Sequence, residues 1–474
     1  MYNWNNIWNI AMMTDSYKAS HWKQYPKKTT KIVSYLESRG SKLSDHTLFF
    51  GLQYYIKRYL SGNVIDKNGV DIAEKFWTEH LGPGVFDRTK WDYIVEKYNG
   101  MLPIKICAVR EGNRVKNHNV LLTIENTDPE CFWLTNFLET LILKVWYSIS
   151  VATNSNNIRE TILKYLNETG SPELIDWKLH DFGFRGVSSE ESAGIGAMAH
   201  LASFNGTDTV AGIWYAREFY NTNAMVAGSI PASEHSTITS WLEKNEVDAF
   251  ENMLDSYPNG LVACVLDSFN FDKALDKWAT LKEKILSRNG TLVIRPDSGD
   301  PTQTALYVIN KLGNLFGYTV NEKEYKVLDP HVRVIYGDGI NHESIKKILE
   351  TLKKNSWSAD NITFGCGGKL LQAFDRDTFN FAIKCCVAEV DGEIRYVEKS
   401  PIEIDENGKF IMSFKKSKKG YLKLIKNSEN EFETINYEDP RFENVVDELI
   451  PVFENGKILR EYTFEEIRET ARNS

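Results

Sequence analysis

Residues 177–368 repeat one pattern of apolar and polar positions: a short apolar run, a tight loop of Gly, Asp, Arg or Ser, and a longer stretch with apolar residues at helical spacing. Such runs predict buried strands, and the longer stretches predict amphipathic helices. The predicted strands are residues 178–181, 261–267, 291–295, 332–336 and 362–364, and the clearest helices are 304–312 and 344–352. Alternating strands and helices predict a parallel sheet.

Both an open, doubly wound sheet and a closed barrel satisfy this alternation. Polar residues directly follow five or more of the strands, and a (β/α) barrel brings all its carboxyl strand ends to one mouth. We therefore favour an α/β barrel.

The flanking segments have a different pattern. Short runs with turn residues occur at 389–396, 405–410 and 418–422, and residues 105–110 and 120–124 are similar. They predict antiparallel hairpins. We expect an α/β barrel catalytic domain at residues 141–384, and a β-rich and helical domain built from residues 1–140 plus 385–474.

Composition excludes several classes of protein. The 474 residues are 42% hydrophobic with a formal charge of −9, which disfavours nucleic-acid binding. No run of about 18 apolar residues predicts a membrane span, and the N-terminus has no signal-peptide pattern. The six cysteines show neither metal-ligand spacing nor a disulfide framework, so we expect a cytoplasmic protein.

Charged residues follow the predicted strands, where a barrel mouth would gather them: Arg185, Asp208, Asp267, Arg295, Asp297 and Asp338. The guanidinium of Arg295 can bind a phosphate bidentately, through two parallel hydrogen bonds, and Asp297 can accept hydrogen bonds from the hydroxyls of a sugar. A capped turn explains the same residues, and the Gly-Asp-Gly at 337–339 is also a common tight turn.

Three further features suit a phosphorylated, aromatic ligand. The glycine-rich loop at 364–369 can offer backbone N–H groups to a phosphate, although it lacks the Walker A spacing. Phe182 and Arg185 share one loop, which suits a flat heteroaromatic ring beside a phosphate, but a core phenylalanine is equally ordinary. His235 lies among small polar residues that a helix cap would also explain, and the other histidines form no zinc-ligand pair.

Several motifs together resemble the nicotinamide phosphoribosyltransferase family. They are HDFGFRGVSS at 180–189, GTDTVAG at 206–212, SEHSTIT at 233–239, IRPDSG at 294–299 and RVIYGDG at 333–339, and the match extends from residues 14–26 to 462–468. The resemblance implies the (β/α) barrel of the type II phosphoribosyltransferases, a second β-rich region built from the N- and C-terminal segments, and a homodimer with shared active sites.

The resemblance also implies residue roles. Nicotinamide would stack between Phe182 and the partner subunit's Tyr17, while a buried Asp208 would accept a hydrogen bond from the carboxamide and repel nicotinate. The remaining substrate-binding residues would be Arg185, Arg295, Pro296, Asp297, Gly337, Asp338, Gly367, Gly368 and Arg376, and Asp15, Arg39, Lys384 and Lys415 would complete the phosphate site across the dimer.

The implied reaction joins nicotinamide to 5-phosphoribosyl 1-pyrophosphate, giving nicotinamide mononucleotide and pyrophosphate for NAD biosynthesis. Mg²⁺ would be held mainly through the substrate phosphates. ATP would be a co-substrate that phosphorylates His235, with Asp267 orienting the ring, so His235, Asp267 and Asp297 are the expected catalytic residues.

The chain departs from the family pattern at Lys369, where a glycine is expected, and at Ala263, where a serine is expected. Residues 400–413 also form a longer segment, which weakens the alignment of Lys415. Three alternatives stay open: a nicotinate phosphoribosyltransferase, a non-catalytic binding protein that keeps the fold, and a barrel glycosidase with two acidic residues.

Overall fold

The computed structural model describes residues 9–406, 408–412 and 416–473. The chain divides into two compact units. Unit 1 contains the residues up to Thr153, Glu218–Thr222 and those from Phe374 onward, and unit 2 contains Asn154–Arg217 and Asn223–Ala373. The expected boundaries lay at 140/141 and 384/385. The first observed division falls after Thr153, inside the helix Trp146–Thr169, which runs unbroken across it, so no turn residue marks the division there.

The strands, in chain order, are β1 (Thr29–Ser38), β2 (His46–Leu48), β3 (Ile104–Ala108), β4 (Arg114–Lys116), β5 (Val120–Asn126), β6 (Leu179–Asp181), β7 (Gly206–Thr207), β8 (Asn259–Val265), β9 (Asn289–Arg295), β10 (Tyr318–Val320), β11 (Lys326–Leu328), β12 (Val332–Tyr336), β13 (Ile362–Cys366), β14 (Phe381–Val390), β15 (Glu393–Tyr396), β16 (Ile402–Ile404), β17 (Phe410–Met412), β18 (Leu422–Lys426), β19 (Phe432–Asn436), β20 (Ile450–Glu454) and β21 (Lys457–Ile458).

The α-helices are α1 (Leu52–Tyr55), α2 (Lys67–Leu81), α3 (Arg88–Tyr98), α4 (Leu134–Phe137), α5 (Glu139–Ile142), α6 (Trp146–Thr169), α7 (Glu190–Leu201), α8 (Val210–Phe219), α9 (His235–Thr239), α10 (Glu246–Ser256), α11 (Phe271–Thr280), α12 (Lys282–Leu286), α13 (Pro301–Phe316), α14 (His342–Lys354), α15 (Gly368–Leu371) and α16 (Phe464–Asn473). Short 3-10 helices and one π-helical turn, Ile56–Leu60, complete the described structure. Among the described residues, no helix is both long enough and apolar enough to cross a bilayer.

Unit 2 is built on six parallel strands in the order β7-β6-β13-β12-β9-β8. Both edges of this sheet pair with the segment 228–232, since Gly206 bridges to Gly228 and Ala263 bridges to Ala232. The segment therefore closes the sheet into a barrel, as predicted. Inside it, Ala263, Val293 and Ile335 form a buried apolar cluster.

The helices around the barrel begin and end where their sequences indicate. Asp300 accepts a hydrogen bond from the backbone N–H of Gln303 at 2.8 Å and Pro301 occupies the first turn of α13, while Gly317, with φ of 95°, ends it. Proline at the first turn and glycine past the last are the preferred helix boundaries. In α14, the apolar residues at helical spacing, Ile345, Ile348, Leu349 and Leu352, are all buried.

Unit 1 contains a seven-stranded antiparallel sheet in the order β15-β14-β1-β5-β3-β20-β21. Strand β1, near the N-terminus, pairs with both β5 and the C-terminal β14, and β3 pairs with β20. The β-rich region therefore combines both ends of the chain, as predicted.

Two of the three predicted C-terminal hairpins are confirmed, β14–β15 and β16–β17. The predicted turn at 418–422 is wrong, because those residues lead into β18 and the β18–β19 hairpin turns at residues 427–431 instead. Gly420 has φ of 81°, and its N–H donates to the carbonyl of Cys386. Gly420 allows a bend in the segment that leads into β18. In the sequence, a glycine at such a bend looks the same as a glycine in a hairpin turn.

Candidate active site

The loop after β6 holds Phe182 at the barrel mouth. Its backbone N–H donates to the carbonyl of Cys366 at 2.9 Å, which joins the loop to the end of the adjacent strand β13. The ring packs against the buried cluster of Ala263, Val293 and Ile335. Phe182 is only partly buried, so it belongs to the barrel core and also lines the cleft above it.

Glycines make room for this ring. A Cβ atom at Gly365 would lie 1.9 Å from the Phe182 ring, and one at Gly337 would lie 3.3 Å from it. Gly186 and Gly368 also approach closely, because a Cβ on Gly186 would lie 3.2 Å from Gly368. The predicted glycine-rich loop therefore lies against the Phe182 loop.

Asp208 follows β7 and lines the same cleft. Its backbone N–H donates to the carbonyl of Asp181 at 2.9 Å, and Ser229 donates its hydroxyl proton to Oδ1 of Asp208. The sequence-based expectation of a buried carboxylate is wrong, since Asp208 is exposed to the cleft. Its second oxygen, Oδ2, faces no donor among the hydrogen bonds of the described residues.

His235 and Asp267 meet because their segments are paired. The Ser233 N–H donates to the carbonyl of Ala263 at 3.0 Å, and the Val265 N–H donates to Ser233 Oγ at 2.9 Å. His235 and Asp267 each lie two residues farther along these paired segments, and His235 Nε2 lies 3.2 Å from Asp267 Oδ1. The imidazole is half exposed, at 49%.

His235 also begins α9. Glu234 caps this helix in a reciprocal capping box with Thr237, and Ser236 donates to the Glu234 carboxylate. The helix-cap explanation of this motif is therefore correct locally, and it coexists with the contact to Asp267.

One cleft of about 860 Å³ joins most of the predicted residues of unit 2. Its lining includes the predicted Phe182, Arg185, Asp208, His235, Arg295, Asp297, Gly337 and Gly367, together with Phe184, Glu234 and Ser236. Arg295 is notable because its Nε is buried without a hydrogen-bond partner among the described residues. A buried guanidinium N–H without a protein acceptor favours an anionic ligand at that place.

Four predicted residues of unit 2 do not line the cleft. Asp267 reaches the cleft through His235, Pro296 is buried, and Asp338 and Gly368 are exposed on the loops beside it. Phe184, Glu234 and Ser236 line the cleft but were not predicted to bind a ligand. Each is adjacent in the sequence to a predicted residue, and this adjacency is the signal that could have identified it.

The other predicted phosphate-site residues belong to unit 1. Asp15 accepts a hydrogen bond from Thr140 at 2.7 Å, and Tyr17 is 59% exposed. Arg39 is buried and pairs with Glu37 at 2.9 Å, whereas Arg376 is exposed and pairs with Asp377 at 2.6 Å. Burial lowers the pKa of Lys384, and Lys415 lies outside the described residues.

Among the described residues, no three His, Cys, Asp or Glu side chains gather into a metal-binding group. The acidic residues of the cleft, Asp208, Glu234 and Asp297, lie on three separate loops. A cation bound here would therefore need oxygen ligands from a substrate, as Mg²⁺ often has.

Comparisons with known proteins define the class. The crystal structure of nicotinate-nucleotide pyrophosphorylase from Pyrococcus furiosus has a TM-score of 0.61 and 16% identity, covering 100% of this chain and 96% of that one. Human nicotinic acid phosphoribosyltransferase has a TM-score of 0.57 and 14% identity, covering 98% and 93%. The fold is that of the type II phosphoribosyltransferases.

Sequence comparison is more specific. The nicotinate phosphoribosyltransferase family model matches residues 177–446, and the N-terminal domain model of nicotinamide phosphoribosyltransferase matches residues 9–106. Nicotinamide phosphoribosyltransferase of Xanthomonas campestris is 45% identical over 98% of both chains, and that of Acinetobacter baylyi is 33% identical over 96% of this chain and 95% of its own. The chain belongs to the nicotinamide phosphoribosyltransferase family of pentosyltransferase enzymes.

Proposed function

We propose that this enzyme transfers the phosphoribosyl group of 5-phosphoribosyl 1-pyrophosphate to nicotinamide, giving nicotinamide mononucleotide and pyrophosphate for NAD biosynthesis. The observation that carries the proposal is the single cleft that contains an aromatic ring, Phe182, a carboxylate, Asp208, and two guanidinium groups, Arg185 and Arg295. The relatives named nicotinamide phosphoribosyltransferase give the substrate class.

The base binds at the inner end of the cleft. Nicotinamide stacks on Phe182, and its carboxamide NH₂ donates to Oδ2 of Asp208, because Ser229 already donates to Oδ1. Nicotinate carries a carboxylate in place of the carboxamide. That carboxylate and Asp208 would be two anions at hydrogen-bond distance, and their repulsion disfavours nicotinate. This arrangement supports nicotinamide over nicotinate.

The phosphorylated end of the substrate binds toward the arginines. Arg295 and Arg185 hold phosphate oxygens, Asp297 accepts hydrogen bonds from the ribose, and Gly337 and Gly367 let the backbone approach. The pyridine nitrogen then attacks C1 of the ribose, the bond from C1 to the pyrophosphate oxygen breaks, and pyrophosphate leaves with both bonding electrons. Mg²⁺, held by the phosphate oxygens, would supply positive charge to the leaving group.

ATP is a second substrate in the proposal, and His235 is the acceptor of its γ-phosphate. When Nε2–H of His235 donates to Asp267, the lone pair lies on Nδ1, which is the nucleophile. Nδ1 attacks the γ-phosphorus, ADP leaves, and water later hydrolyses the phosphohistidine to regenerate the ring. Asp267 acts by orienting the imidazole.

We also propose that the active enzyme is a homodimer in which the partner subunit's Tyr17 covers the second face of the nicotinamide ring. The exposure of Tyr17 supports this assignment, since 59% of its surface is accessible although Lys18 and His21 contact the ring. Asp15, Arg39, Arg376, Lys384 and Lys415 would add to the phosphate site by the same family resemblance.

The decisive experiment is a steady-state assay of the purified enzyme with 5-phosphoribosyl 1-pyrophosphate, Mg²⁺ and either nicotinamide or nicotinate, each with and without ATP. We expect nicotinamide mononucleotide to form, with a kcat/KM for nicotinamide at least about a hundredfold above that for nicotinate. Turnover of nicotinate alone would overturn the substrate assignment. No turnover of either base would support the non-catalytic alternative.

A further inference from the structure

Two loops from different strands form the proposed base site. Phe182 follows β6, and Asp208 follows β7. A ring that stacks on the first and donates a hydrogen bond to the second requires their separation to be fixed within a few tenths of an ångström. The side chain that joins these two loops is Asp181.

Asp181 has 0% of its surface exposed and makes contacts to both loops. The backbone N–H of Gly183 donates to Oδ1 at 2.7 Å, just beyond Phe182. The hydroxyl of Thr207 donates to Oδ2 at 3.0 Å, just before Asp208. The two carboxylate oxygens therefore hold the residues that flank Phe182 and Asp208.

The backbone strengthens the same connection. The carbonyl of Asp181 accepts the N–H of Asp208 at 2.9 Å. The Thr207 hydroxyl, already a donor to Asp181, accepts the N–H of Thr209 at 2.9 Å. Asp208 thus lies between two residues that are both fixed through Asp181 or its partner.

Burying this carboxylate has an energetic cost. Burial raises the pKa of Asp181 to about 6, although the nearby Thr209 hydroxyl and the hydrogen bonds from Gly183 and Thr207 oppose that change. Asp181 does not line the cleft, so it cannot touch the substrate directly. A costly buried group whose side-chain oxygens accept hydrogen bonds from both site loops is a candidate for positioning rather than for chemistry.

We infer that Asp181 is a positioning residue that sets the distance between the stacking ring of Phe182 and the amide-binding carboxylate of Asp208. This inference rests on the proposed function of the cleft. It assigns Asp181 to recognition of the base and not to the phosphoribosyl half of the reaction.

The test compares Asp181→Ala with Asp181→Asn. The alanine variant loses both side-chain hydrogen bonds, and we expect the KM for nicotinamide to rise about tenfold or more while the KM for 5-phosphoribosyl 1-pyrophosphate stays within about twofold. The asparagine side chain has the same shape, accepts from Gly183 through its oxygen and donates to Thr207 through its nitrogen. It should restore most of the affinity for nicotinamide.

Asp360 provides a matched control in the same unit. It is a buried aspartate that likewise accepts one backbone N–H, from Ser171 at 2.9 Å, and one hydroxyl, from Ser171 Oγ at 3.0 Å. It precedes β13, at the opposite end of the barrel strands from the cleft. Asp360→Ala should lower the melting temperature as Asp181→Ala does, but leave both KM values within about twofold.

The outcomes separate positioning from general stability. Equal rises in both KM values for Asp181→Ala, or the same kinetic change in Asp360→Ala, would overturn the inference. Failure of the proposed function is visible separately, in the wild-type assay. If the wild type uses nicotinate alone, Asp208 binds no amide, and the inference fails together with the proposed function.

Discussion

At the scale of single residues, the proposed function makes Asp208 the residue that selects the base. Replacing it by asparagine removes the charge that repels a carboxylate and supplies an NH₂ group that can donate to one. For Asp208→Asn we expect the ratio of kcat/KM for nicotinamide to that for nicotinate to fall by at least about tenfold, equivalent to about 1.4 kcal/mol. Steady-state kinetics with both bases measure this ratio.

Asp297→Asn is the control, because Asp297 lines the same cleft and is proposed to bind the ribose rather than the base. It should lower kcat/KM for both bases by similar factors and leave their ratio unchanged. An unchanged ratio in Asp208→Asn would refute the role of Asp208 in base selection.

Gly365 is a second residue with a specific steric role. A methyl group there would lie 1.9 Å from the Phe182 ring, so Gly365→Ala must displace the ring or the strand end. We expect a loss of about 1–3 kcal/mol in the free energy of unfolding and a clear rise in the KM for nicotinamide. Gly337→Ala, with a contact of 3.3 Å, should have a smaller effect on both quantities. Denaturant unfolding and steady-state kinetics of the two variants measure both quantities. A larger effect of Gly337→Ala than of Gly365→Ala would contradict this account.

The buried charge of Asp181 gives a pH-dependent prediction. Its pKa is about 6 in the folded enzyme and near 3.8 when unfolded. Between these two pH values the folded state therefore keeps a proton that the unfolded state has lost. Stability from this group is therefore present at low pH and lost as pH rises through about 6. Asp181→Asn has no such charge, and its stability relative to the wild type should increase by about 1.4 kcal/mol between pH 5 and pH 7.5. Urea unfolding at the two pH values measures the difference, and no increase would contradict the prediction.

The candidate site was only partly predictable from these residues. Arg185, Arg295 and Asp297 stand out because charges follow apolar strands, and the barrel mouth brings strand ends together. The contact of His235 with Asp267 joins residues 32 positions apart, and no local pattern indicates it. Asp181 was missed because the sequence cannot show that an aspartate at the end of a short strand is buried rather than exposed at the barrel mouth.

At the scale of elements, five strands of unit 2 were predicted to within two residues at each end, namely β6, β8, β9, β12 and β13, because short apolar runs between turn residues leave few alternatives. The short strands β7, β10 and β11 were not predicted. The segment 228–232, which closes the barrel, was not predicted. It makes only isolated bridges, at Gly228 and Ala232, and contains no continuous apolar run. Its pairing depends on the edges of the finished sheet, which periodicity cannot show.

The short helix α9 carries the prediction for ATP. Incubation with γ-labelled ATP should give an acid-labile phosphate on the wild-type enzyme and none on His235→Ala, which should also lose the ATP stimulation of synthesis. His331 provides a control, since its Nδ1 lies 2.8 Å from Asp329 just before β12, away from the cleft. His331→Ala should keep the label. Labelling of His235→Ala at the wild-type level would exclude His235 as the acceptor.

At the scale of the whole molecule, the sheet of unit 1 shows why domain organisation was the harder prediction. Residue Ser34 in β1 pairs with Cys385 in β14, across about three quarters of the chain. Turn signals reveal strands, but pairing between distant strands depends on which edges remain free after the local hairpins form. Similar turn-rich runs at both ends of the chain, together with the family resemblance, were the signals that predicted this arrangement.

The proposed shared active site predicts subunit complementation. Tyr17→Ala and Asp208→Ala should each be nearly inactive with nicotinamide as homodimers, for lack of a stacking ring or of the amide acceptor. If Tyr17 acts on the partner's cleft, a heterodimer of the two variants has both defects in one active site and none in the other, which is therefore intact. Mixing the variants under conditions that exchange subunits should therefore restore up to about a quarter of the wild-type activity, given random pairing in which half of the dimers are mixed. If Tyr17 instead served the cleft of its own chain, every site in the mixture would keep one defect, and activity would stay at the level of the separate variants.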